Sequence, residues 1–159
     1  MFRFPLSLVP IAFIGSAASL PAQEGRRADL SLAGSWWVVS DGYLAEKVER
    51  EQVGTVVAFW QGNLYMVDAD AADAYEVRLY KGDAGTRFEF LTDGKLEGKG
   101  LAVKDGDDML RMFVNCERRG GKIVDPAPDK EKCDLFFVCL AFRPETGKAR
   151  LVKHGIDSG

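Results

Sequence analysis

From Leu30 onward the chain consists of short runs of alternating apolar and polar residues, separated by turns rich in glycine and aspartate. This pattern constrains the fold more than any other feature. Alternation with period two puts one face of each run in a core and the other in water. Nine runs read as strands: 35–41, 53–60, 63–68, 75–81, 86–92, 95–103, 108–117, 134–143 and 148–153. Three connections read as tight hairpins, at Gln61-Gly62-Asn63, Asp93-Gly94 and Asp105-Gly106. Aspartate and glycine suit such turns because a type I′ turn needs positive φ at both central residues. Strands this short and closely spaced predict an antiparallel up-and-down meander of about eight to nine strands, closed as a barrel or packed as a sandwich. Residues 43–53 break the pattern, with Leu44 and Val48 spaced i, i+4 among charges, and read as a short helix or long loop. Gly98 and Gly100 predict a bulge or bend in the sixth strand.

Two-residue turns also predict facing. Around Gly62, Val57 and Phe59 share a face with Leu64 and Met66. Around Gly106, Leu101 and Val103 share a face with Leu110, Met112 and Val114. The stretch from Arg118 to Lys132, with Pro126, Pro128 and many charges, reads as an exposed loop.

Residues 1–22 carry one cation, Arg3, then an apolar run from Phe4 to Ile14 and small residues from Gly15 to Ser19. That order is a secretory signal peptide's, and the run is too short and too proline-broken to span a bilayer. The expected organisation is a signal over 1–22, a flexible arm over 23–29 and one barrel domain over 30–159, in a secreted or periplasmic protein.

An oxidising compartment gives the three cysteines meaning. If Cys116 lies opposite Cys133, then Val114 meets Leu135, Met112 meets Phe137 and Leu110 meets Cys139. Each pair is apolar, so the register that permits a bridge also buries a continuous face. The expectation is a Cys116–Cys133 disulfide, worth about 3 kcal/mol for a loop of about 18 residues, with Cys139 a buried free thiol.

Lys and Arg total 21 against 24 Asp and Glu, a net charge of −3, which argues against a nucleic-acid binder. The single histidine, His154, leaves no nucleophile–base pair, and no phosphate-cradling glycine loop or metal-ligand cluster is apparent. Asp68, Asp70 and Asp73, and likewise Asp105, Asp107 and Asp108, lack calcium-loop spacing and read as turn chemistry. The expected protein is therefore non-catalytic, without cofactor or metal. Its aromatic and sulfur side chains Trp37, Phe59, Tyr65, Tyr75 and Met112 are the candidates to line a barrel interior around a small apolar ligand.

The segment Leu32-Ala-Gly-Ser-Trp-Trp-Val-Val-Ser40 contains Gly34-x-Trp36, which resembles the G-x-W signature of lipocalins and their calycin relatives. Together with Phe59-Trp-Gln-Gly-Asn-Leu-Tyr65, Gly106-Asp-Asp-Met-Leu-Arg-Met112 and Leu140-Ala-Phe-Arg-Pro144, it resembles a small secreted lipocalin-like family of planctomycetes with no established activity. The resemblance spans about Leu30 to Pro144 and implies a lipocalin-like barrel and secretion. It further implies that Gly34, Trp36 and Arg143 (or Arg150) form a structural closed end, with the cation over the indole. Some bacterial metalloprotease inhibitors begin with a similar strand and insert the residues before the barrel, here Gln23 to Asp29. Inhibition through that arm, or through a bridged loop carrying Arg118 and Arg119, is the alternative function.

Overall fold

A computed structural model describes residues 26–44, 47–48, 52–116 and 122–156. The signal segment, the first part of the arm, Arg118 and Arg119 lie outside these. Eight antiparallel strands run in sequence order: β1 Ser35–Leu44, β2 Val56–Trp60, β3 Asn63–Val67, β4 Ala72–Lys81, β5 Thr86–Thr92, β6 Lys95–Asp105, β7 Met109–Cys116 and β8 Leu135–Ala141. Each pairs with its neighbour, and β8 returns to pair with β1, from Leu135 opposite Leu44 to Ala141 opposite Trp37. The meander is therefore a closed barrel with no free edge. Within the segment expected as a short helix or long loop, Tyr43 and Leu44 instead prolong β1 and pair with Val48 and Lys47 of a two-residue strand; residues 45, 46 and 49–51 lie outside the described residues.

Local chemistry explains the hairpins. Gln61 and Gly62 have φ of 52° and 78°, and Asp93 and Gly94 have 51° and 80°, the left-handed pairs that a type I′ turn requires. Val57, Phe59 and Leu64 accordingly share the interior, with Met66 packed against them. The predicted bulge lies at Glu97, where the ladder slips between Leu91 opposite Leu96 and Phe90 opposite Gly98.

The third hairpin corrects the predicted facing. Asp105 pairs with Met109, so three residues, not two, make the turn. One extra residue inverts a strand of period two. Ala102 therefore faces inward with Leu110, Met112 and Val114, while Leu101 and Val103 face outward with Phe113. Inside, β6 thus offers only Gly98, Gly100 and Ala102. A Cβ at Gly100 would lie 2.0 Å from Phe88 Cζ, and one at Gly98 would lie 2.2 Å from Phe90 Cζ. The two phenylalanine rings occupy the volume those side chains would need.

The expected ninth strand, 148–153, is a helix, α1, Pro144–Lys153. Pro144 suits a first helical turn, where its missing N–H is not needed. Gly155, at φ 79°, ends the helix; its N–H bonds to the Val152 carbonyl and that of Ile156 to the Leu151 carbonyl, a Schellman cap. Gly147 and Leu151, one helical turn apart, are the buried positions. They press on Trp36, Val56, Ala58, Tyr65 and Val67, an apolar patch on the outside of the barrel.

A second outer patch, Leu101, Phe113, Cys133 and Phe136, lies on the neighbouring wall. Of the loop expected to be exposed, the described residues 122–132 pack against the barrel wall. Its Val124 carbonyl accepts Asn115 Nδ2 at 2.9 Å and its Pro126 carbonyl accepts Arg87 Nη1 at 3.0 Å, and Lys130 Nζ stands 4.5 Å over the Tyr43 ring. Pro126 is buried.

One end of the barrel is closed by the residues preceding β1. Ala28 bridges to Tyr80, Asp29 N–H bonds to the Leu79 carbonyl and Lys81 N–H to the Arg27 carbonyl. Residues 26–29, expected as part of a flexible arm, are thus docked beside β4. Asp29 accepts from Ser31 N–H and from Thr86 Oγ1 at 2.8 Å, and the Ser31 N–H chiefly holds its carboxyl below the usual range. Leu32 follows and plugs the interior, fully buried against the core.

Candidate functional site

The end opposite Leu32 is defined by the starts of β2, β4 and β8 and the ends of β3 and β7, which the register brings level: Val56 with Val67, Val67 with Ala72, and Val114 with Leu135. A cavity of about 270 Å³ opens there. Leu64, Met66, Tyr75, Phe88, Phe90, Met112, Val114, Leu135 and Phe137 form its apolar walls and floor; Gln52, Thr55, Asp68 and Asp73 supply its polar side.

The walls are braced from behind. Phe59 meets Phe88 edge-on at 5.5 Å, and Tyr75 meets Phe90 edge-on at 5.2 Å, geometries that place a positive ring edge on a negative face. Trp37 lies deeper, its Nε1 satisfied by Ser35 Oγ at 2.8 Å.

Of the side chains expected around a ligand, Tyr75 and Met112 line this cavity. Trp37 and Phe59 belong to the interior but pack behind it. Tyr65 is on the other side of the wall, beneath α1. Its strand position is odd where Leu64 and Met66 are even, so it cannot share their face.

The expected closed end is corrected in the same way. Gly34 makes the sharp entry to β1, at φ 81°, with its N–H on the Phe59 carbonyl. Trp36 then points outward under α1, and it is Trp37 that enters the barrel. Arg143 is exposed at the start of α1, its carbonyl accepting Gly147 N–H. On α1 the cations that stand over aromatic rings are instead Lys148, over Trp60, and Arg150, over Phe142.

The expected disulfide is absent, and Cys116, Cys133 and Cys139 are free thiols. The register that motivated the bridge is nevertheless present, with Val114 opposite Leu135, Met112 opposite Phe137 and Leu110 opposite Cys139. Beyond Leu135 the chain leaves the ladder. Asp134 N–H bonds to the Val114 carbonyl and to Asn115 Oδ1, while Asp134 Oδ2 accepts Cys116 N–H. Cys133 is thereby turned to the outer patch, its Sγ against the Lys130 and Leu135 carbonyls, while Cys116 packs against the interior cluster. Burial pushes all three thiols up, Cys139 to about 12. We expect three thiols to titrate in denaturant. In the folded protein, half-buried Cys116 should react first and Cys139 last, and thiol counting with alkylation mapping checks both. A single titratable thiol in denaturant would reinstate the bridge.

The Phe88 and Phe90 floor was not among the residues singled out from the sequence. A signal for it existed: two phenylalanines spaced i, i+2 in one strand, with glycines at the same spacing in the next. Asp68 belongs to the acidic turn already noted. Its Oδ1 accepts the N–H groups of Asp70 and Ala71, both at 2.7 Å, and the Ala71 N–H is the main reason its carboxyl titrates below the usual range. Among the described residues no cluster of His, Cys, Asp or Glu could hold a metal ion. Burial first, then Asp73, Glu97 and Cys116, push the Tyr75 hydroxyl up. No family model, curated protein or solved structure matches the chain.

Proposed function

We propose that the protein is a secreted or periplasmic, non-catalytic member of the lipocalin-like class that holds a small apolar ligand in its barrel. The observation that carries this reading is the apolar-walled cavity of about 270 Å³ at the end of the barrel that Leu32 does not plug. Such a volume is close to the lower bound, roughly 300 Å³, of sites that enclose small molecules. The order of charge, apolar run and small residues in 1–22 supports export. Among the described residues no helix is long and apolar enough to cross a membrane. The alternative, inhibition by a free N-terminal arm, draws less support, because residues 26–29 are already paired with β4.

Titration with toluene and indole, followed by NMR, tests the reading. Saturable shifts are expected at Leu64, Met66, Met112 and Phe137. Leu135→Trp, which places a large ring at the mouth, should weaken binding at least about tenfold, as expected when a pocket of this size is filled. Absence of saturable binding would leave the purely structural extracellular role in its place.

A further inference from the structure

The polar groups of the cavity are not scattered around it. Gln52 and Thr55 come from the turn before β2, Asp68 from the β3–β4 connection and Asp73 from the start of β4, opposite Met66, while the remaining walls are apolar. Pairing of β2 with β3 and of β3 with β4 brings these segments side by side. Each of the four side chains can accept a hydrogen bond, and two carry negative charge.

Thr55 is the least exposed of them, at 3%. Among the described residues its hydroxyl has one partner, Gln52 Oε1 at 3.4 Å, well beyond the distance of about 2.7–2.8 Å usual for O–H···O bonds. No described residue donates to it, and a buried hydroxyl so weakly satisfied favours a donor brought by something else. Asp73 has no ion-pair partner among the described residues, and Asp68 has committed only Oδ1, leaving Oδ2. His154 hydrogen-bonds to the Asp68 main-chain carbonyl, Nε2 to O 3.2 Å, and acts on its carboxylate only as the smallest of the influences that set its titration. No lysine or arginine is among the residues that line the cavity. Glu97 adds a further negative charge close to Tyr75 and Cys116.

We infer that the site selects a ligand with a compact apolar body and a cationic, hydrogen-bond-donating head, such as an aralkylammonium ion. The body lies against Phe88, Phe90, Met112 and Phe137, and the head lies between Asp73, Asp68 and the Thr55 hydroxyl. An anionic head is excluded by the same carboxylates. This inference rests on the cavity being a ligand site and adds the ligand's charge to that reading.

Calorimetric titration of the purified protein with three isosteric probes tests it: phenethylamine as its ammonium ion, phenethyl alcohol and hydrocinnamate. The ammonium ion should bind about tenfold more tightly than the alcohol, and hydrocinnamate more weakly than both. The advantage of the ammonium ion should shrink as salt is added, because these carboxylates lie at a wetted rim. Asp73→Asn should narrow the gap between ammonium and alcohol affinities at least about threefold while leaving thermal stability unchanged, since Asp73 is exposed. Equal binding of ammonium and alcohol, or preference for hydrocinnamate, would overturn the inference and leave the cavity reading intact. Failure of all three probes to bind would overturn both.

Discussion

Replacing Trp36 with alanine is expected to destabilise the protein by about 3–5 kcal/mol, the usual cost of deleting a buried aromatic side chain. Trp36 is almost fully buried and joins two elements: the outer wall of the barrel at Val56, Ala58 and Val67, and α1 at Gly147 and Leu151. It also meets Trp60 at 5.7 Å. Urea unfolding measures the loss as a shift in midpoint with little change in slope. A loss below about 1 kcal/mol would mean that α1 is not docked on Trp36. A second substitution sharpens the test. A Cβ at Gly147 would lie 2.3 Å from Trp36 Cε3, so Gly147→Ala should destabilise the native protein by overpacking. With Trp36→Ala already in place the clash is gone, and alanine's advantage over glycine of about 1 kcal/mol in a helix interior should emerge. The change of sign identifies the contact itself.

Phe88→Ala is expected to cost a similar amount, about 3–5 kcal/mol, and also to change the site. Phe88 is fully buried, backs onto Gly100, meets Phe59 edge-on and forms part of the cavity floor. Removing its ring should deepen the cavity, so that two-ring apolar probes gain affinity relative to toluene. Gly100→Ala should destabilise the native protein, because its new methyl group meets the Phe88 ring, and should cost markedly less after Phe88→Ala. Contacting residues are expected to couple by about 0.5–3 kcal/mol in such a cycle. Additive effects would show that the ring does not lie over Gly100.

These two substitutions fall where reading the sequence and seeing the fold part company. Both two-residue hairpins are legible from Gln61-Gly62 and Asp93-Gly94, because only residues that tolerate positive φ serve there. The pairing of β7 with β8 is legible too, from the run of apolar partners that ends with Leu110 and Cys139. The facing of β6 is not legible, since Asp105-Gly106-Asp107-Asp108 suits a turn of two residues or of three, and the choice inverts the strand. Two small residues and an alanine inside β6 make sense only once Phe88 and Phe90 are known to lie across them.

The tryptophan pair shows the same division. Adjacent residues in a strand must face opposite ways, so one of Trp36 and Trp37 had to leave the barrel interior. Which one leaves is decided by α1. The helix provides a second apolar environment, built from Gly147 and Leu151, that lets a large ring be buried on the outside. Residues 148–153 carry too few apolar positions to distinguish a strand from a helix, and Pro144 together with the Gly155 cap settles the matter only when both ends are seen. Cys133 follows the same rule: strand register places it opposite Cys116, yet the ladder ends two residues short of it, at Leu135, where the hydrogen bonds of Asp134 turn the chain and its thiol outward.

What the amino-acid sequence determined by itself is therefore local: the strand count to within one, the turn chemistry, the antiparallel order and much of the inner face. Each of these follows from φ preferences and period-two alternation, which act over a few neighbouring residues. The tertiary structure alone decided which tryptophan is inside, whether the thiols meet, and that Gln52, Thr55, Asp68 and Asp73 gather on one side of an apolar cavity. Those outcomes depend on single-residue offsets in turns and on packing between segments far apart in the chain, for which local periodicity carries no record.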